Sequence, residues 1–258
     1  MPQKPRAYSR PTTLDEAIDL LTKPDTAPLA GGAKLLANGT AVSVVDLQDL
    51  GLNQIGFSED VLMVGATTTL AELDTFLVAN GRSGDPSSLL RRAIRQTGPN
   101  TYRNAATLGG CIASRLPDSE LLAALLVLEA AVEMYPDATF SLVEFLAAET
   151  KPAGLITAVY IPWQQGDGDS HRVARTPADD PIVSITGWQP QNGRLRLAAT
   201  GIGERPFRLT AAEQAQTTAQ AAQAAKAATT HPGDFRGSAS YRAEMAAVLT
   251  KRTLDSLQ

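Results

Sequence analysis

The chain has 258 residues, of which 43% are hydrophobic and 19% are charged, which is an ordinary globular composition. A net charge of −4 gives no electrostatic case for binding nucleic acid or an anionic membrane. One cysteine, Cys111, excludes an internal disulfide and a cysteine-ligated iron–sulfur cluster. No stretch is long and apolar enough to span a bilayer, and the first residues, MPQKPRAYSRPTTLDEA, contain no apolar run that could serve as a signal peptide. We therefore expect a cytoplasmic protein.

Residues 1–53 form the first predicted unit. Thr13 and Glu16 have the spacing of a capping box, and apolar residues then recur at helical spacing up to Leu21. Two short strands are predicted at 27–30 and 42–47, with a turn or helix start at 33–36 between them.

Residues 54–165 form the second predicted unit. Capping boxes are predicted at Thr69/Glu72 and at Ser141/Glu144. The apolar patterns predict helices and strands separated by a segment, 98–120, that is rich in turn formers and poor in periodicity. The predicted helices are 70–81, 87–96 and 121–130, and the predicted strands are 61–66, 131–135 and 155–161.

Residues 166–258 form the third predicted unit. A polar, glycine-rich run at 164–170 is predicted to be a linker. Asn192-Gly193 lies between two apolar runs, which indicates a β-hairpin of strands 182–188 and 194–200. Helices are predicted at 211–229 and 239–254. The whole pattern predicts an α+β protein in three parts.

Two glycine pairs do not have the pattern of plain core. In the first, the predicted strand ends in Ala30-Gly31-Gly32 and continues through Ala33-Lys34-Leu35-Leu36. Glycine allows close approach of the backbone to a ligand, and successive N–H groups can bind a phosphate. The alternative is a tight strand-to-helix turn that binds nothing.

The second pair lies in Thr107-Leu108-Gly109-Gly110-Cys111, and Glu120 follows at the start of the next apolar helix. Thr107 offers a hydroxyl, and the glycine pair is expected to offer bare N–H groups. Glu120 can accept hydrogen bonds from a ribose. Its alternative role is to complement the positive end of the helix dipole.

Taken together, these segments resemble one family. AGGAKLL and RNAATLGGCIASRLPDSE are similar to the two FAD-diphosphate loops in the medium subunit of the xanthine dehydrogenase and carbon monoxide dehydrogenase family. YSRPTTLDEAIDLL is similar to the family's opening, and LITAVYIP to the strand that ends its flavin domain. RVARTPADDPIVSITG and DFRGSASYRAEMAAVLTKRTL are similar to its C-terminal domain. The resemblance covers nearly the whole chain in order.

The resemblance implies a fold and a set of partners. It implies a two-part PCMH-type FAD-binding domain followed by a small C-terminal domain with an antiparallel sheet and helices. FAD would receive electrons from the [2Fe–2S] clusters of a small subunit and pass them to an external acceptor. A large molybdopterin-binding subunit would act on the substrate. The assembly would be a two-fold heterohexamer.

The resemblance also implies which residues contact FAD. They are Ala30, Gly31, Gly32, Ala33, Lys34, Leu35, Leu36, Thr107, Gly109, Gly110, Cys111 and Glu120, with Ile156 packed near the flavin ring. The chain departs from the family at four of these positions. The family usually has Thr or His in place of Ala33, Asp or Ser in place of Lys34, and Asn, Asp or Ser in place of Cys111. Asp is usual in place of Glu120. No catalytic residue is expected.

The departures leave an alternative of a different class, a flavin-free scaffold or assembly protein that keeps the fold. A stand-alone flavoenzyme is a third hypothesis. It is weaker because the sequence contains no residue set for substrate chemistry.

Overall fold

The computed structural model describes residues 5–35 and 42–257. The first unit is a small parallel sheet with strand order β1-β3-β2. Its elements are β1 (Tyr8–Ser9), α1 (Leu14–Leu21), β2 (Thr26–Leu29) and β3 (Ser43–Asp46), and a 3-10 helix follows at Gln48–Leu50. Parallel strands need crossover connections. The connection after β2 contains the first glycine pair.

The second unit is a five-stranded antiparallel sheet with strand order β4-β5-β8-β6-β7. Its strands are β4 (Ile55–Ser58), β5 (Val61–Gly65), β6 (Ala131–Tyr135), β7 (Ala138–Ser141) and β8 (Leu155–Pro162). Its helices are α2 (Leu70–Asn80), α3 (Ser87–Gln96), α4 (Asn100–Arg103), α5 (Leu108–Ser114), α6 (Glu120–Val127) and α7 (Leu142–Ala147).

The third unit is an antiparallel sheet with strand order β12-β11-β10-β9, covered by helices. Its elements are β9 (Gly166–Val173), β10 (Val183–Pro190), β11 (Arg196–Thr200), β12 (Phe207–Arg208), α8 (Thr210–Glu213), α9 (Thr218–Ala227), a hairpin of β13 (Gly233–Asp234) and β14 (Gly237–Ser238), and α10 (Ala239–Ser256). The predicted α+β class is confirmed. Each of the four sheets in the described residues, counting the β13–β14 hairpin, lies within one of the three predicted units, whose boundaries at 53/54 and 165/166 stay predictions.

Two of the three predicted capping boxes are confirmed in full. Thr69 and Ser141 each accept a hydrogen bond from the N–H of the glutamate three residues on, and the glutamates accept from the cap N–H in return. At Thr13 only half of the box forms, because the Glu16 carboxylate accepts from Thr12 N at 3.2 Å instead.

The predicted linker at 164–170 is wrong, because most of it belongs to strand β9. This strand pairs along its whole length with β10. A Cβ on Gly168 would lie 2.6 Å from the Trp188 ring, so the glycine leaves room for that buried ring. Strand β9 is thus stabilised by backbone pairing with β10 and by packing of the Trp188 ring on its glycines. Its own sequence lacks the alternation of apolar and polar residues from which strands are predicted.

Three other predictions need correction. The predicted helix 211–229 is two helices, α8 and α9, and Thr217 caps the second by accepting from Gln220 N. The predicted irregular segment contains α4 and α5, which are too short to produce a periodic pattern. The predicted hairpin forms, but residues 191–195 join its strands instead of a two-residue turn.

Helix α6 lies between the second and third units. Every residue from Glu120 to Val127 is buried. The helix contacts α3 and α7 of the second unit and strands β10, β11 and β12 of the third. Its burial explains why its sequence is apolar on all faces.

Candidate cofactor site

The two glycine loops meet at a cavity of about 640 Å³. The first loop follows β2, and the second leads into α5. A Cβ on Gly31 would lie 1.4 Å from the Ala105 carbonyl oxygen, so only glycine allows the loops to touch. The cavity is lined by Ala30, Gly31, Gly32, Ala33, Lys34 and Leu35 from the first loop and by Thr107, Gly109, Gly110 and Cys111 from the second.

The first loop has free hydrogen-bond donors. Gly32 has φ +70°, a conformation that favours glycine. The N–H groups of Gly31, Gly32 and Ala33 make no hydrogen bond to another described residue. Three successive unpaired N–H groups at a cavity can bind an anionic oxygen.

In the second loop the expected bare N–H groups are not found. Gly109 N donates to Ala66 O at 2.9 Å, and Gly110 N donates to the Thr107 hydroxyl at 3.2 Å. Cys111 N donates to Thr107 O at 2.9 Å. The reason is that α5 begins at Leu108 with Thr107 as its N-cap. Within residues 5–35 and 42–257 the Thr107 hydroxyl accepts from Gly110 N and donates to no acceptor, so its proton is available to a ligand.

Lys34 introduces a positive charge to the cavity wall. Its Nζ atom donates to the Ser114 hydroxyl at 2.9 Å, and burial lowers the pKa of its ammonium. Lys34 also lines a second cavity of about 250 Å³, together with Tyr102, Cys111 and Ser114, which line both. The two cavities therefore adjoin.

Cys111 is buried and uncharged. Burial raises the pKa of its thiol to about 11, so the thiol stays protonated at neutral pH. It lies beside Tyr102, whose phenol pKa burial raises to about 12. Cys111 thus has the properties of a small apolar side chain in the wall.

Glu120 lies in the second cavity and not in the first. Its Oε2 atom accepts from Arg172 Nη1 at 2.8 Å, and its side chain is 3% exposed. Burial raises the pKa of Glu120 to about 6, and the charge of Arg172 opposes that shift. Glu120 therefore lies at the start of α6, where it can complement the helix dipole, and it also forms an ion pair with Arg172. Its predicted contact with the ribose of FAD stays a prediction.

Ile156 lies in the wall of the first cavity, on β8, with Leu155, Met134 and Phe145 as apolar neighbours. Leu36 lies outside the described residues. The sequence did not point to Tyr102, Ala66, Phe145 or Lys151, which also line the cavity. Tyr102 precedes the second glycine pair closely enough to have been suspected. Phe145 is on α7, and no local pattern links it to the loops.

Among residues 5–35 and 42–257, no group of three or more His, Cys, Asp or Glu side chains is arranged to hold a metal ion. Within the same residues, no helix has the length and apolar character needed to cross a membrane.

Two parts of the chain match the sequence models of known protein families. Residues 3–164 match the FAD-binding domain of molybdopterin dehydrogenases, and residues 189–257 match the C-terminal domain of CO dehydrogenase flavoproteins. The first match alone covers more than half of the chain. The chain therefore belongs to the FAD-binding medium-subunit family of the molybdenum hydroxylases, with FAD as its cofactor. It is a subunit of an FAD-dependent oxidoreductase.

Individual relatives extend over almost the whole chain. It is 27% identical to protein YgfM of Escherichia coli (strain K12) over 249 residues, which is 94% of this chain and 92% of YgfM. It is 27% identical to the carbon monoxide dehydrogenase medium chain of Afipia carboxidovorans over 291 residues, 96% of this chain and 95% of that one.

A solved structure confirms the predicted fold. Reconstituted CO dehydrogenase from Oligotropha carboxidovorans superimposes with a TM-score of 0.88 at 25% identity. The match covers 100% of this chain and 99% of the other. The predicted combination of a two-part FAD-binding domain and a small C-terminal domain is thereby confirmed.

Proposed function

We propose that this chain is the electron-transfer subunit of a molybdenum-containing hydroxylase or dehydrogenase. It would accept electrons from [2Fe–2S] clusters of a small partner subunit and pass them to an external acceptor such as NAD or a quinone. The observation that carries the proposal is the cavity between the two glycine loops, with free N–H groups along its first loop.

The residues of this cavity suit a dinucleotide that is charged in its middle and apolar at its flavin end. Gly31, Gly32 and Ala33 can donate N–H groups to the diphosphate, and the Lys34 ammonium can offset its charge. Ile156 and its apolar neighbours can exclude water from the flavin ring. FAD supplies the electron-transfer chemistry, while the protein supplies position and electrostatics. An open cavity of this kind favours a flavoprotein over a flavin-free scaffold.

The remaining chemistry must lie in other chains. A single cysteine cannot ligate an iron–sulfur cluster, so the clusters would belong to a partner. The described residues offer no metal-ligand group, so substrate oxidation would belong to a molybdopterin-binding large subunit. A relative whose name calls it a medium chain supports this division. We propose a two-fold heterohexamer in the cytoplasm.

Co-expression with the adjacent reading frames tests this assembly. Size exclusion should give one complex that contains FAD, iron and molybdenum. Substrate should bleach the flavin absorbance in that complex and not in the isolated chain. If the chain purifies from its native host alone, without iron or molybdenum, the proposed assembly is wrong.

A further inference from the structure

Two arginines from different parts of the chain converge on the end of helix α7. Arg115 Nη1 donates to the Ala148 carbonyl oxygen at 2.8 Å. Arg205 Nη1 donates to the same oxygen at 2.6 Å and to Leu146 O at 2.7 Å, and its Nη2 atom donates to Glu149 O at 3.3 Å. The last carbonyls of a helix have no partner within the helix, so arginine side chains can bind them. The end of α7 is therefore held from two directions.

The two arginines belong to different elements. Arg115 is the C-cap of α5, the helix that begins at the second glycine loop. Arg205 lies in the third unit, between β11 and β12. The carbonyl oxygen of Ala148 is thus a shared acceptor for the second glycine loop and the third unit.

Arg115 has little freedom to move. It is 6% exposed, and its guanidinium lies 4.6 Å from the centre of the Phe145 ring, which lines the first cavity. Burial lowers the pKa of Arg115, and the positive charge of Arg205 lowers it further. Because the two guanidiniums repel each other, their hydrogen bonds to the carbonyls at the end of α7 are what keeps them together.

The segment after Ala148 lines the cofactor cavity. Residues 149–154 join α7 to β8, and Lys151, Pro152 and Gly154 lie in the wall of the first cavity. The N–H groups of residues 149–154 make no hydrogen bond to another described residue. The position of this segment therefore depends on its two ends, which are β8 on one side and the carbonyls bound by the arginines on the other.

We propose that Arg205 is a positioning residue for the cofactor. By holding the carbonyls of Ala148 and Glu149, it fixes the segment 149–154 as one wall of the first cavity. FAD binding then depends on the third unit, although Arg205 itself does not line that cavity. This inference rests on the proposed role of the cavity in FAD binding.

Fluorescence titration of FAD into the full chain, together with thermal unfolding of the apo chain, tests the role of Arg205. The variants are R205Q and R205K. The matched control is R196Q, because Arg196 also donates from the third unit to the last residue of a helix in the second unit, Val127 O at 3.3 Å. Arg196 does not line the first cavity.

Limited proteolysis reports how firmly the segment is held. A glutamate-specific protease can cleave after Glu149, which is exposed and lies in the segment. Glu59, which is exposed in the turn between β4 and β5, gives an internal control in the same digest. Mass spectrometry of the fragments gives the rate at each site.

We expect R205Q to weaken FAD binding about tenfold and to speed cleavage after Glu149 about tenfold, as loss of charge-assisted hydrogen bonds does. Cleavage after Glu59 should not change. R205K should lie between the parent and R205Q in both measurements, because an ammonium can still donate but lacks the planar fork that reaches several carbonyls. R196Q should lose thermal stability and keep the parent's FAD affinity and its cleavage rate after Glu149.

Three results would overturn the proposal. One is an R205Q chain with the parent's FAD affinity, which would mean that the contacts of Arg205 are only structural. Another is weaker FAD binding by R205Q without faster cleavage after Glu149, because the effect would then not pass through the segment. The third is an equal loss of FAD affinity in R196Q. If R205Q does not fold, R205K decides by the same criteria. A parent chain that binds no FAD would instead refute the proposed function, and the cleavage rates would still show whether Arg205 holds the segment.

Discussion

The two glycines of the first loop, Gly31 and Gly32, are required for different reasons. At Gly31 the reason is space, because a Cβ would collide with Ala105 O. At Gly32 the reason is conformation, since its φ of +70° strains any residue with a Cβ. Of these two glycines, Gly32 combines that conformation with an N–H that is unpaired among the described residues, which links it more directly to ligand binding.

Replacing Gly32 with valine should abolish FAD binding. Gly51 gives a matched control, because it has φ +67° and open space around it, and it does not line the cavity. Both G32V and G51V should lose about 1–2 kcal/mol of unfolding free energy through backbone strain. Fluorescence titration should show lost FAD affinity for G32V alone. Equal FAD affinity in both variants would contradict the assignment of the first loop.

Replacing Lys34 with methionine tests the charge at the cavity wall. We expect K34M to weaken FAD by about tenfold, the effect of a charge-assisted hydrogen bond. Riboflavin lacks the diphosphate, so its affinity should change little. K23M, at an exposed position, is the control. An equal loss for FAD and riboflavin would mean that Lys34 does not contact the diphosphate.

At the scale of the element, α5 shows how a short helix shapes the site. Its N-cap hydroxyl at Thr107 holds Gly110 N, and the loop N–H groups before and after it are paired inside the chain. The second loop therefore contributes shape and a hydroxyl, while the first contributes free N–H donors. Two glycine pairs that look alike in sequence thus have different functions.

The T107A variant separates the cap from the cofactor. Thr217 is a matched control because it caps α9 in the same way and does not line the cavity. The cap hydroxyl lies 3.2 Å from the backbone nitrogen three residues on in both helices. T107A and T217A should each lose about 1 kcal/mol of unfolding free energy. T107A should also weaken FAD binding, because Thr107 lines the cavity and its hydroxyl proton can be donated to a ligand. If both variants bind FAD like the parent, Thr107 is only a cap.

At the scale of the whole molecule, α6 is shared by two units. All of its residues are buried, it contacts α3 and α7 of the second unit and the sheet of the third unit, and it begins at Glu120. The buried Arg242 makes a similar link inside the third unit, where it donates to Ile182 O and Gly201 O. A shared helix should make the second and third units unfold together.

Truncating Leu125 tests this cooperativity. Leu125 is fully buried, so L125A should cost about 2–5 kcal/mol. Differential scanning calorimetry should show one transition, shifted to lower temperature. V78A, at an exposed position of α2, should change little. Two transitions, only one of which moves, would show that the units unfold independently.

Local signals in the sequence determined much of this protein. Capping boxes and apolar periodicity predicted most helices and the α+β class, because those signals come from contacts within a few residues. The family was predicted separately, from the resemblance of several segments in the same order along the chain. The glycine pairs also identified the loops that line the cavity. No structural observation tests the contacts predicted with FAD, which stay predictions.

Only the tertiary structure decided how the loops are used. The N–H groups of the second pair are occupied because Ala66, distant in sequence, accepts from Gly109. Glu120 is held by Arg172, which lies 52 residues away. Strand β9 forms because β10 lies beside it and Trp188 covers its glycines. Such contacts are invisible in a single sequence, since they join residues whose only relation is their position in space.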